Sequence, residues 1–150
     1  MASFKKKIII GTWSLTDQFG KISRQDIKKI INYSIVNNYK EFDTAPNYGG
    51  GDIECILSDF KKSDPKVKIN TKFGNGRDNI KSFKTKDILK SIDKSIELFD
   101  NINTLYIHNP RCSDKKIEKF FDILSDYKSK KYVKNIGISI ARGFYFKKSI

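Results

Sequence analysis

The chain has 150 residues, of which 38% are hydrophobic and 31% charged, and its formal net charge is +13. That balance excludes a disordered polymer and suits one soluble globular domain with a core of its own. No apolar run approaches the roughly 20 residues a bilayer span needs.

The basic start runs into Ile8-Ile9-Ile10 and stops at Gly11. This is too short for the ~7–15 apolar residues of a signal peptide, so a cytoplasmic location is expected. Lys7–Thr12 reads instead as a first, buried strand. Ser23 with Asp26 three residues on resembles a capping box, and Ile27, Ile30, Ile31 and Ile35 follow at helical spacing. Lys40–Thr44 is a second short strand. Ile53, Ile56, Leu57 and Phe60 make a second helical stripe, closed by Pro65. Val67–Phe73 alternates at period two, as a strand does. Thr85 is expected to cap a helix with Ile88, Leu89, Ile92, Ile96 and Phe99 on one face. Thr104–His108 reads as a fourth strand stopped by Asn109-Pro110. Ile117, Phe120, Phe121, Leu124 and Tyr127 mark a fourth helix, and Val133–Ser139 a fifth strand.

Alternating strands and helices imply right-handed βαβ units and a parallel sheet. Two architectures fit the pattern: a doubly wound open sheet, or the opening part of a (β/α)8 barrel. Neither a G-x-G-x-x-G turn nor a Walker-type G-x-x-x-x-G-K is present, which argues against a mononucleotide fold. Cys55 and Cys112 belong to no CxxC pair, and with one histidine in the chain a zinc site lacks ligands. Both thiols are expected to be packing residues, and no metal is expected. The lysines are spread along the whole chain. The run Tyr127–Tyr132 reads as a solvated helix end rather than a strand-gripping patch, so nucleic acid is not an expected partner.

In parallel α/β proteins chemistry gathers at the carboxyl ends of the strands. Those ends hold Asp43, Lys72 and His108, with Tyr48 in the loop after Asp43. A phenol near pKa 10 exchanges protons poorly at neutral pH; a nearby ammonium is expected to lower that value, and a paired carboxylate to hold the ammonium in place. An imidazole beside them can orient a carbonyl oxygen. Acid, phenol, ammonium and imidazole at one mouth suit protonation of a carbonyl as hydride reaches its carbon.

The segments Gly11-Thr-Trp, Phe42-Asp-Thr-Ala-Pro-Asn-Tyr-Gly, Thr71-Lys-Phe-Gly, Leu105-Tyr-Ile-His-Asn-Pro and Ile136-Gly-Ile-Ser139 resemble successive motifs of the aldo-keto reductases, in that family's order. The resemblance implies a TIM barrel, a nicotinamide cofactor (NADP(H), with NAD(H) an alternative), and reduction of a small aldehyde or ketone. It implies Tyr48 as general acid, Lys72 as the group tuning it, Asp43 paired with Lys72, and His108 orienting the carbonyl. Thr12, Trp13, Asp43 and Ser139 would approach the cofactor, and Trp13, Tyr48 and His108 would line the substrate pocket. Glu54 falls where the family has a structural glutamate, while Ile140 replaces the asparagine of many members.

A complete barrel takes about 200–250 residues or more. The expected domain is therefore an N-terminal part of the barrel over residues 1–140, with five strands and four helices, followed by a divergent basic and aromatic tail, 141–150. Such a chain is expected to self-associate, pair with a second barrel half or stay marginal. Its turnover in isolation is expected to be weak or absent.

Overall fold

The computed structural model describes residues 8–110 and 114–141. Five strands, β1 (Ile10–Gly11), β2 (Glu41–Asp43), β3 (Lys68–Phe73), β4 (Ile102–His108) and β5 (Val133–Ser139), alternate with four α-helices. The helices are α1 (Arg24–Val36), α2 (Asp52–Ser63), α3 (Thr85–Phe99) and α4 (Asp114–Ser129). All strands are parallel, and their spatial order is β1-β2-β3-β4-β5.

That order chooses between the two architectures. A doubly wound sheet reverses its strand order and carries helices on both faces, whereas a barrel adds each strand beside the last and keeps its helices outside. Here alternate residues of the strands pack against helices: Phe42 and Ile69 cluster with Ile27, Ile31, Ile53 and Leu57. Phe73, Leu105 and Ile107 cluster with Ile88, Ile92, Phe120 and Leu124. Burying side chains of this size stabilises by roughly 1.5–3 kcal/mol each, so this one face carries most of the fold's driving force. The strand positions between them point the other way, and they are polar: Asp43, Asn70, Lys72, Tyr106, His108 and Ser139. The chain forms five strands and four helices of a TIM-type barrel, with the polar face inside the curve.

Local signals explain most boundaries. Ser23 caps α1: its Oγ accepts from the Asp26 N–H at 3.1 Å and donates to the Asp26 carboxylate at 2.7 Å. β2 is one residue shorter at each end than the sequence reading and β3 starts one residue later; three further boundaries also differ. Thr85 is the first helical residue of α3, with Lys84 at the cap position and no side-chain cap. β4 begins two residues earlier than expected, because Ile102 pairs with Val133 and the Asn103 amide donates to Glu41 at 3.1 Å. The first strand is shorter and less buried than its isoleucines suggest: β1 has one sheet neighbour, so Ile8 and Ile9 stay 45% and 47% exposed.

Cys55 is a free, half-buried thiol, while Cys112 lies outside the described residues. Beyond Ala141, the tail also lies outside them. Among the described residues no helix is long and apolar enough to cross a membrane.

Candidate active site

Register brings the expected residues to one end of the sheet. Asp43 closes β2, Lys72 sits near the end of β3 beside Tyr106 of β4, and His108 closes β4 beside Ser139 of β5. Lys72 is almost fully buried, and its ammonium donates to the Asp43 carboxylate and to the Thr44 carbonyl, both at 2.7 Å. Burial pushes the Lys72 pKa down, opposed by the charge and hydrogen bond of Asp43. A buried ammonium is tolerated where it is paired and hydrogen-bonded, and here both conditions are met.

Tyr48 reaches this pair through an unusual turn. The chain leaves β2 at Asp43, and the Tyr48 N–H donates to the Ala45 carbonyl at 3.0 Å. Residues Tyr48–Gly51 then form a 3-10 turn in which Gly49, Gly50 and Gly51 have φ of 57°, 63° and 97°. Three consecutive left-handed residues need glycine, and they swing the chain from strand into α2 within a few residues. Gly51 is required twice over, because a Cβ there would meet Arg77 Nε at 2.6 Å. The result places the Lys72 ammonium 5.0 Å from the centroid of the Tyr48 ring, over its face. Phenol and ammonium therefore share one side of the sheet.

The expected lowering of the Tyr48 pKa is reversed in the structure. Burial, and after it the Asp43 carboxylate, push the phenol up to about 12. The physical reason is visible: Lys72 spends its charge on Asp43 and the Thr44 carbonyl and faces the ring rather than the hydroxyl. Tyr48 is consequently protonated at neutral pH, the form a proton donor needs.

His108 is buried, and its Nδ1 has no hydrogen-bond partner among the described residues. Burial, then the ammoniums of Lys72 and Lys81, push its pKa from 6.5 down to about 4. The imidazole is neutral at pH 7. A depressed folded-state pKa means stability that is present above pH 6.5 and lost as pH falls through about 4. Between pH 7 and pH 4, wild type is expected to lose about 2 kcal/mol more than His108→Gln in urea denaturation, after allowance for screening at the open mouth. Parallel losses in the two proteins would show that this histidine is solvated.

The remaining expected residues surround this centre unevenly. The Thr12 hydroxyl donates to the Asp43 carbonyl at 2.9 Å, and its N–H does the same, so Thr12 fastens β1 to the end of β2. Trp13 opens a short 3-10 turn after β1, is 46% exposed, and packs edge-on against Phe19 with ring centroids 5.2 Å apart. Ser139 lies opposite His108 and accepts from the Asn109 N–H through its carbonyl at 2.8 Å.

Several neighbours were not legible as site residues. Glu54, in the first turn of α2, is wholly buried; its carboxylate accepts from Thr71 at 2.7 Å and Ser95 at 3.3 Å and pairs with Arg77 at 2.6 Å. Burial pushes its pKa up against those contacts. Through Arg77 and a hydrogen bond of 3.3 Å from Asn47 Nδ2 to Asn79 Oδ1, the loop after β3 is clasped onto the Tyr48 turn. Tyr106 follows from strand parity, since it shares the face of His108. The Thr44 hydroxyl, buried without a partner among the described residues, is a further polar atom at the strand ends.

A parallel sheet with helices outside, polar residues inside and titratable groups at its carboxyl edge is the arrangement of part of a TIM-type barrel. The chain belongs to the aldo/keto reductase family: residues 7–144 match the family model. A comparison with curated proteins gave no match. Among solved structures it is similar to a Pseudomonas aeruginosa protein described as an aldo-keto reductase, at TM-score 0.72 and 17% identity over 88% of this chain and 53% of that one. It is also similar to the aldo/keto reductase from Brucella melitensis, at TM-score 0.66 and 21% identity, covering 90% of this chain and 49% of that one. The Klebsiella pneumoniae aldo-keto reductase, solved in complex with NADPH, gives TM-score 0.69 and 15% identity over 90% and 46%. The chain thus spans about half the length of the structures it matches.

Proposed function

We propose that this chain contributes the proton-donating end of a nicotinamide-dependent carbonyl reductase, acting on a small aldehyde or ketone. The observation that carries the proposal is the Asp43–Lys72–Tyr48 contact at the strand ends, with a neutral, unpartnered His108 on the same face. Family membership and the NADPH complex of a structural relative support the same reading.

The residues suit a nicotinamide. Thr44 Oγ1 and His108 Nδ1 are buried polar atoms still wanting partners, and an exposed indole stands at the same mouth. Thr12, Trp13, Asp43 and Ser139 would hold the nicotinamide end. NADP(H), with NAD(H) as the alternative, supplies the hydride when bound.

The chain's own work is the proton. His108, neutral, can orient a carbonyl oxygen by hydrogen bonding. Tyr48, protonated at physiological pH, transfers its proton to that oxygen as negative charge develops there. The phenolate left behind forms beside Lys72, whose ammonium stabilises it. Asp43 keeps the ammonium from drifting, and the Thr44 carbonyl fixes its remaining direction. The clasp of Arg77 and Glu54 positions the Tyr48 turn without touching substrate.

The test is a titration of the chain with NADPH followed by Trp13 fluorescence, paired with aldehyde-dependent loss of NADPH absorbance. NADPH is expected to quench the indole in wild type and in Tyr48→Phe alike. Aldehyde reduction is expected to fall roughly 100-fold or more in Tyr48→Phe, the usual scale of general-acid catalysis. Reduction above the protein-free background at equal rates in the two proteins, or an indole indifferent to NADPH, would refute the proposal.

A further inference from the structure

The opposite end of the sheet holds a feature the reductase chemistry does not use. A cavity of about 560 Å³ opens at the amino ends of β3, β4 and β5, floored by Val67, Ile102 and Val133. Lys61, Lys66, Lys68, Lys128, Lys131 and Lys134 line it, and no carboxylate does. We infer that this cavity is a second site, which binds a compact anion carrying several phosphate groups.

Lys61 is the anchor of the argument. It is the one buried cation among the described residues that has no carboxylate within ion-pair distance, since Lys72 is held by Asp43. Its Nζ donates to the Val67 carbonyl at 3.1 Å and to Asn101 Oδ1 at 3.2 Å. An ammonium has three N–H donors, so one is left without an acceptor among the described residues. A buried charge without a directly paired counter-charge is costly, and an anion in the adjoining cavity would supply both that pairing and the third acceptor.

The surroundings reinforce the sign. The five other lysines are exposed, and none forms an ion pair among the described residues. Asp64 takes the Lys40 ammonium at 2.7 Å; Asp100 shares a smaller hollow with Lys61 and its charge acts on that ammonium, but the two form no ion pair, so the compensation is partial. Lysines at helix carboxyl ends ordinarily answer the helix dipole, and the ends of α2 and α4 do lie here. Each end contributes about half a negative charge, so two of them leave about five of six positive charges unanswered.

Shape selects the ligand. The volume falls within the ~300–1,000 Å³ of small-molecule sites. No aromatic side chain lines the cavity, so it lacks the stacking platform on which single-stranded nucleic acid binds. A small polyphosphate fits both facts better than an oligonucleotide.

The probe is inorganic tripolyphosphate, titrated calorimetrically into the full chain at physiological salt. One equivalent is expected to bind. Affinity should fall at least tenfold in Lys61→Met and in the exposed double variant Lys131→Gln/Lys134→Gln, and stay unchanged in Lys86→Met, outside the cavity, and in Lys72→Met, at the catalytic end. The exposed double variant keeps the test decisive if Lys61→Met folds poorly. Binding abolished by Lys72→Met would place the anion at the catalytic mouth and overturn the inference. So would equal weakening by every lysine variant, or tighter binding of a short oligothymidylate than of tripolyphosphate, since either result describes diffuse surface charge.

Discussion

Replacing Arg77 by methionine is expected to cost the folded chain about 3 kcal/mol at pH 7, measured by urea denaturation. The guanidinium contacts a glutamate that has no solvent exposure, at 2.6 Å, and removing one partner of a buried pair typically costs about 3–5 kcal/mol. The lower end applies because the Arg77 side chain is itself 31% exposed and because Glu54 can escape by taking up a proton. That escape has a pH signature. The Glu54 pKa is already raised above 4.5 by burial, and losing Arg77 raises it further. A raised folded-state pKa costs nothing below the unfolded value and destabilises progressively as pH climbs past it. The gap between wild type and Arg77→Met should therefore widen from pH 4 towards pH 7. Glu54→Gln should cost less than Arg77→Met, because an amide oxygen still accepts from Thr71 and Ser95 and leaves no buried charge. A pH-independent gap would show that Arg77 acts through packing on Gly51 alone.

Lys72→Met is expected to separate activity from stability. The buried ammonium loses its favourable pairing with Asp43 but also its desolvation cost, and the Asp43 side chain, 33% exposed, can recover water. Stability should change by about 1 kcal/mol or less. Carbonyl reduction should drop roughly 100-fold or more, because the phenolate formed at Tyr48 loses the charge that stabilises it. The same substitution should leave NADPH quenching of Trp13 in place. A variant with normal reduction would remove Lys72 from the proposed chemistry.

Some of this was legible in the residues and some was not, for identifiable reasons. Helical stripes such as Ile53-Ile56-Leu57 and Ile88-Ile92-Phe99 announced their faces because periodicity is a local property. Strand ends were legible too: Asp43 and His108 each close a strand, and Lys72 stands one residue before the end of β3. The choice between barrel and open sheet was beyond periodicity alone and came from family motifs. In the structure it follows from strand order and from one polar sheet face. Asn103 hid the start of β4, since an asparagine looks like a strand breaker until its amide is seen donating to Glu41 across the sheet. Ile8 and Ile9 misled in the other direction, because apolar composition says nothing of whether a strand has one neighbour or two. Lys61 was invisible among so many lysines: only its burial, set by the packing of α2 against β3 and Asn101, distinguishes it. The Tyr48 pKa ran against expectation for a similar reason. Proximity of an ammonium was foreseeable, whereas its commitment to Asp43 and Thr44 was a matter of direction.

The most direct test of the proposed site is a double-mutant cycle of aldehyde reduction through Tyr48→Phe, Lys72→Met and the pair combined. If phenol and ammonium act on one oxygen, the ammonium has nothing to tune once the hydroxyl is gone, and the double variant should match Tyr48→Phe within about threefold. Losses that multiply, each substitution costing its full factor in the other's absence, would mean that the two groups work apart and would contradict the account.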